Sequence, residues 1–295
     1  MMEFTCAKEL LELCQTNNLP ISEVMLRMEV ARKKQSEAEI RKHLRETLEV
    51  MRTSCRTPLE TDVTCIGGMI GGEAKKLMAH YHDGKALCGS IVTKGIAYAM
   101  SVMEQNSAMG CVVAAPTAGS SGVIPGVLLA LEEELGLSDE ILTHGLLCAG
   151  AIGYLYMRNA SVAGAEAGCQ AEIGAASAMA AAAITEMNGG TPKQALDAAA
   201  IAIGNTLGLV CDPVAGMVQC PCQMRNAMGV SNAFTCAEIA CSGISAIIPF
   251  DEMLAAMYQI GQDMPAALRE TALGGCAVTP TGIAWKKRIF GKTQN

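Results

Sequence analysis

Aromatic residues are scarce in this chain: one Trp, four Phe and five Tyr make up 3% of 295 residues. Apolar residues still reach 51%, drawn mostly from Ala, Leu, Ile and Met, so a β-sandwich with an aromatic and β-branched core is disfavoured. The composition predicts an all-α fold of many helices that approach closely through small side chains. Charge is scarce too, at 17% against about 25% in an ordinary domain. The balance is −7 with a pI near 5.2. Basic residues gather only between Arg27 and Arg56, among compensating acids, which argues against nucleic acid as a partner. The opening Met1-Met-Glu-Phe-Thr-Cys6 has no basic segment followed by an apolar one, so a cytoplasmic protein without a secretory leader is expected. The glycine spacings match neither a P-loop nor a dinucleotide fingerprint, and neither an internal repeat nor a low-complexity linker is present.

The uncharged run from Ser107 to Leu131 is long enough to raise a membrane or transporter reading. Pro116, Pro125 and the polar turn Thr117-Ala-Gly-Ser-Ser-Gly122 interrupt it, Glu166 and Glu172 break the next apolar stretch, and no aromatic belt flanks either. No membrane association is expected.

Residues 1–57 read as an amphipathic helical N-terminal arm, with Ile21, Val24, Met25 and Met28 at helical spacing and Ser36-Glu-Ala-Glu39 as a capping box. After Pro58 the chain turns to glycine, alanine and small polar residues, and 58–295 reads as a second, all-helical domain. Within it, Ser138-Asp-Glu opens a helix, Thr191-Pro-Lys-Gln194 opens another, and Gly189-Gly190 closes the one before. Ala175 to Met187 is apolar on every side and predicts a central buried helix.

Three glycine-rich turns interrupt the helices: 67–72, 115–122 and 273–282. Glycine lets backbone N–H groups close around an anion, and the middle turn adds Thr117, Ser120 and Ser121 just before a helix predicted from Val123. Tight helix packing without a ligand explains such turns equally well. Fourteen cysteines suit buried thiols and metal ligands better than disulfides in a cytosolic chain. Cys6, Cys14, Cys88, Cys111, Cys148, Cys236 and Cys241 are expected to be plain core packing. Cys211 precedes Asp212-Pro213, Cys222 follows Pro221, and Cys169 lies among Gly164, Ala165, Ala167 and Gly168, with room for a bulky inorganic group. None of their spacings is a compact C-x₂-C motif, so buried thiols and metal ligation both remain open, and Cys220 competes with Cys222.

The segments Ala115-Pro-Thr-Ala-Gly119, Gly168-Cys-Gln-Ala-Glu-Ile-Gly174, Cys211-Asp-Pro-Val-Ala-Gly216, Pro221-Cys222, Ile248-Pro-Phe-Asp-Glu252 and Thr279-Pro-Thr-Gly282 stand in fixed order. Together, across roughly 58–285, they closely resemble the α chain of the iron-sulfur-dependent L-serine dehydratases. The resemblance implies an all-helical catalytic domain and a [4Fe–4S] cluster held by Cys169, Cys211 and Cys222, with one iron left open as a Lewis acid. It implies β-elimination of water from L-serine to pyruvate and ammonia without pyridoxal phosphate. Thr64 and the turn residues Thr117, Ala118, Gly119 and Ser120 would hold the substrate carboxylate.

Relatives fuse an α/β domain ahead of this region or carry it as a separate β subunit. The first 57 residues leave no room for that domain, so a β-subunit partner and a higher oligomer are expected. Some single-chain relatives end in a cysteine that closes the open iron; with no cysteine beyond Cys276, that closure is not expected here. Cys276 itself stands where an aliphatic residue is expected and is read as packing. No general base is assigned among His80, His82, His144, Lys75 and Lys94. Glu172 is read either as ordering the cluster's surroundings or as an exposed helix face. A cluster-dependent desulfidase acting on cysteine, and a non-enzymatic helical binding or membrane protein, are the alternatives.

Overall fold

A computed structural model describes residues 2–291, and the tail beyond Gly291, on which the expectation about terminal closure bears, lies outside them. Thirteen α-helices follow one another among the described residues. They are α1 (Ala7–Asn17), α2 (Ile21–Lys33), α3 (Glu37–Glu60), α4 (Glu73–His82), α5 (Gly89–Ser107), α6 (Val123–Leu135) and α7 (Asp139–Asn159). After these come α8 (Gly164–Ala167), α9 (Ala175–Met187), α10 (Pro192–Gly204), α11 (Cys222–Cys241), α12 (Phe250–Asp263) and α13 (Pro280–Phe290). The only β-type pairing among the described residues is a single bridge between Cys211 and Arg269, so the fold is all-α.

The helix starts follow local chemistry. Ser36 and Glu39 form the reciprocal capping box of α3, Ser138 Oγ accepts from Ile141 N at the start of α7, and Thr191 with Gln194 caps α10 while Pro192 fills its first turn. α9 is buried from Ala175 through Thr185 and packs against α7, α10 and α11. Alanine suits this place because it loses no rotamer freedom and lets neighbouring backbones come close. The pair α5 and α6 carries the same logic further: a Cβ on Gly126 would lie 2.5 Å from the Gly95 carbonyl.

The N-terminal helices join this core directly. Ile21, Val24, Met25 and Met28 are buried in one cluster with α6, α7 and α9. Glu186, near the end of α9, accepts from Ile21 N at 2.7 Å and Ser22 N at 3.2 Å, capping α2 from another helix. Arg52 of α3 reaches Glu132 of α6 at 2.6 Å and Asp139 of α7 at 2.5 Å. The compositional change at Pro58 falls inside α3, which continues to Glu60.

Two cysteine expectations are corrected here. Cys88 and Cys111 are exposed rather than packed in the core. Both sit in connections flanking α5, Cys88 at its N-cap and Cys111 in the extended stretch before α6, where no helix period turns the side chain inward. Cys14, Cys148 and Cys236 are buried as expected, and Cys6 and Cys241 are half-buried.

Among the described residues no helix is long and apolar enough to cross a membrane. The run from Ser107 to Leu131 is divided between the end of α5, a connection, the 115–122 turn and α6.

Candidate active site

All three glycine turns converge on one segment, residues 211–226. The 67–72 turn lies against Met217, whose sulfur would be 2.8 Å from a Cβ on Gly67, and Met69 N donates to Gln219 Oε1 at 3.3 Å. The 115–122 turn is held by Asn226: its Nδ2 donates to Gly119 O at 2.8 Å and to Cys222 O at 2.9 Å, and its Oδ1 accepts from Gly122 N at 3.0 Å. The 273–282 turn closes on Asp212, whose Oδ2 accepts from Cys276 N at 2.6 Å.

Cys169, Cys211 and Cys222 lie on neighbouring segments of this arrangement, with Cys169 close enough to bear on the ionisation of both Cys211 and Cys222. Cys169 precedes a π-helical turn, Gln170–Gly174, that leads into α9, and such local widening of a helix is frequent where side chains serve a site. Gln170 N bonds Leu209 O at 3.0 Å, drawing Cys169 beside the strand-like stretch that ends in Cys211. Cys211 is fixed by its N–H to Leu268 O at 2.8 Å and its carbonyl from Glu270 N at 2.7 Å. Cys222 is the first residue of α11, where backbone N–H groups lack helical partners. All three are buried, whereas Cys220 is exposed, a distinction set by which face of the Pro221 corner each side chain takes.

Burial pushes the Cys169 thiol up to about 12, with Glu172 adding to the shift and Arg225 opposing it. Burial likewise raises Cys211, reinforced by Glu172, Cys169 and Cys222, and Cys222, reinforced by Cys169 and Glu172. The three thiols therefore feel one another. They would be costly to ionise without a cation among them.

Glu172 is neither exposed nor idle. Its Oε1 accepts from Thr117 Oγ1 at 2.7 Å, and its Oε2 faces Cys211 Sγ at 3.8 Å. Room for it comes from Gly164, where a Cβ would stand 2.7 Å from Glu172 Oε2 and 2.9 Å from Cys211 Sγ. Burial raises its carboxyl above the ordinary range, partly offset by Thr117.

Thr117 and Ser120 face each other, with Thr117 Oγ1 and Ser120 Oγ at 3.2 Å. Ala118 is exposed. The N–H groups of Ala118 and Gly119 bond no protein acceptor among the described residues, while those of Ser120 and Ser121 turn back on Thr117 and Ala118. Thr64 lies exposed one residue before the buried Cys65 that leads into the 67–72 turn.

Two residues central to this geometry carried no role in the sequence reading. Arg225 pairs with Asp212 at 2.9 Å, donates to Val210 O at 2.7 Å and turns toward Cys169. Asn226 joins the middle turn to Cys222 as described above. Both stand three and four residues beyond Cys222 on α11, the spacing that places side chains on one helix face, and that spacing was the available signal.

The residues considered as bases are engaged or remote. Lys75 pairs with Asp62, Lys94 with Glu134, and His144 with Arg41, while His80 and His82 are exposed on α4. Cys276 is half-buried beside Asp212.

The donor set can be tested against metals. Among the described residues no three His, Cys, Asp or Glu side chains converge on a single ion. Three soft thiols on neighbouring segments, with Arg225 nearby to balance negative charge, suit an iron-sulfur cluster, whose own sulfides hold its protein ligands apart.

A family model described as serine dehydratase alpha chain matches residues 16–277. The chain is 48% identical over 288 residues to the probable L-serine dehydratase alpha chain of Bacillus subtilis, covering 98% of this chain and 96% of that one. It is 46% identical over 277 residues to the L-serine dehydratase alpha chain of Peptoniphilus asaccharolyticus, covering 94% of each. It is 39% identical over 282 residues to an L-serine dehydratase of Escherichia coli, covering 94% of this chain but 62% of that longer one.

Proposed function

The chain belongs to the serine dehydratase alpha-chain family, and on that premise we propose that it is the alpha chain of an L-serine dehydratase, a lyase that eliminates water from L-serine to give pyruvate and ammonia. The observation that carries the reading is the placement of Cys169, Cys211 and Cys222 on neighbouring segments beside the 115–122 turn. These three thiols are the proposed holders of a [4Fe–4S] cluster, which when bound supplies Lewis acidity at an iron without a protein ligand and assists departure of the serine hydroxyl.

The chain's own residues position the substrate. The free N–H groups of Ala118 and Gly119 point to a seat for the serine carboxylate, stiffened from behind by Thr117, Ser120 and Asn226. Thr64, exposed ahead of the 67–72 turn, is proposed as a further contact for that carboxylate. Glu172, anchored by Thr117, orders the space beside Cys211. Arg225 holds the Cys211–Asp212 stretch against Cys169 and supplies the positive charge that buried thiolates need. Loss of the Cα proton and of hydroxide from Cβ gives aminoacrylate, which tautomerises to the imine and hydrolyses in water to pyruvate and ammonia; pyridoxal phosphate is not part of the proposal.

The proton-abstracting base is assigned to a separate β subunit, because the candidate bases of this chain are paired elsewhere or exposed on α4. The relatives named alpha chains support a second chain, and the Escherichia coli relative carries additional sequence in one polypeptide. A cytoplasmic higher oligomer with that subunit completes the proposal.

Anaerobic assay of pyruvate release from serine, threonine and cysteine, with the partner chain present, tests it. Release from serine in preference to cysteine is expected. Release from cysteine alone would replace dehydration by desulfidation, and no release from any of them would remove the enzymatic reading.

A further inference from the structure

Between the 67–72 turn and the Cys222 corner lies a buried carboxyl that the reaction scheme does not use. Glu104, on α5, and Gln223, on α11, are both fully buried. Glu104 Oε1 accepts from Ala74 N at 3.0 Å and from Gln223 Nε2 at 3.1 Å, and the N–H of Gly72 also bears on the carboxyl. The other oxygen of each side chain, Glu104 Oε2 and Gln223 Oε1, has no hydrogen-bond partner among the described residues. The amide cannot be turned over to repair this, because its Nε2 also donates to the Met100 carbonyl at 3.3 Å, and a carbonyl only accepts.

Two unpaired acceptors on two side chains already bonded to each other call for one hydrogen between them. We propose that Glu104 is a neutral carboxylic acid in the folded protein, donating from Oε2 to Gln223 Oε1 and accepting from Gln223 Nε2 in a closed acid–amide pair. An ionised carboxylate would leave Glu104 Oε2 and Gln223 Oε1 unpaired and bury a charge. The groups facing it are Glu73 of α4, the Cys65 thiol and the Gln223 amide; Glu73 has the same sign and none of them is a cation. Burial, the main influence on this carboxyl, favours the protonated form as well.

The pair makes Glu104 a positioning residue. It clamps the start of α4 at Gly72 and Ala74 to Gln223, next in sequence to Cys222. Gln219 stitches the other end of the turn, accepting from Met69 N and donating to Ile66 O. Cys222 thus sits between two glutamines that hold the 67–72 turn in place. Only the catalytic consequence, placement of Thr64, rests on the proposed dehydratase reading.

Infrared difference spectroscopy of the full-length chain purified without oxygen, wild type minus Glu104→Gln at neutral pH in D₂O, reads the proton directly. Other buried carboxyls, Glu172 and Glu186, cancel in the difference. Loss of a protonated-carboxyl C=O band in Glu104→Gln is expected, together with a shift of that band in Gln223→Leu, which keeps the acid and deletes its partner. Hydrogen exchange across 66–74 supplies the positioning readout: Glu104→Gln, whose amide can restore both bonds, should protect the turn as wild type does, and Glu104→Ala should lose that protection. Loss of carboxylate bands alone, or a turn opened equally by Gln and Ala, would overturn the inference whether or not the chain dehydrates serine.

Discussion

Asn226 shows how much of the site rests on single side chains. It is fully buried and serves Gly119 O, Cys222 O and Gly122 N together. Truncation to alanine takes this partner from Gly122 N and Gly119 O, while Cys222 O keeps its helical donor, and each backbone group left unpaired costs on the order of 1–3 kcal/mol. Asn226→Ala should therefore lower stability by roughly 2–4 kcal/mol in urea melts and cut iron retention, whereas Gln223→Leu should spare the 115–122 turn. Neither Asn226 nor Arg225 stood out in the sequence, because their partners beyond α11 lie about 13 to 107 residues away and no local pattern marks such a reach. The choice between Cys220 and Cys222 was hidden for a related reason: residues two apart at a proline corner differ only in the direction that the fold gives them.

At the scale of helices, local signals were strong. Ser36, Ser138 and Thr191 cap the helices that their sequences announce, since a cap is a contact within three or four residues. The all-alanine face of α9 was equally legible, because a helix without a polar side must be surrounded. Close approach was not: Gly126 looks like any helical glycine until Gly95 lies beneath it. Gly126→Ala should push α5 from α6 and cost roughly 1–3 kcal/mol in chemical denaturation, although alanine is the better helix former. The cap that α9 gives to α2 is pH-sensitive. Burial raises the Glu186 carboxyl despite its bonds to Ile21 and Ser22. A raised folded value means that its contribution is full below the unfolded value of about 4.3 and is lost as pH climbs through the folded value. Thermal melts of Glu186→Gln and wild type should therefore diverge in the variant's favour as pH rises from about 4 toward neutrality.

For the whole molecule, composition was enough to give the fold class, and the six ordered motifs were enough to suggest the family. The change of composition at Pro58 carried less architectural meaning, since α3 runs through it and Arg52 binds that helix to α6 and α7. Arg52→Ala should cost about 2–3 kcal/mol, limited because Asp139 is half exposed and can return to water. The glycine turns were visible as turns, but their convergence on 211–226 was not, because it joins segments from three parts of the chain. That convergence brings the cysteine segments and the 115–122 turn to one place, as the proposed function requires. The most direct test is anaerobic iron and sulfide analysis of the reconstituted full-length chain and its Cys169→Ser, Cys211→Ser, Cys222→Ser and Cys148→Ser variants. Near-complete loss of iron and sulfide in the first three with retention in the fourth is predicted, and equal iron and sulfide in all four would contradict the account.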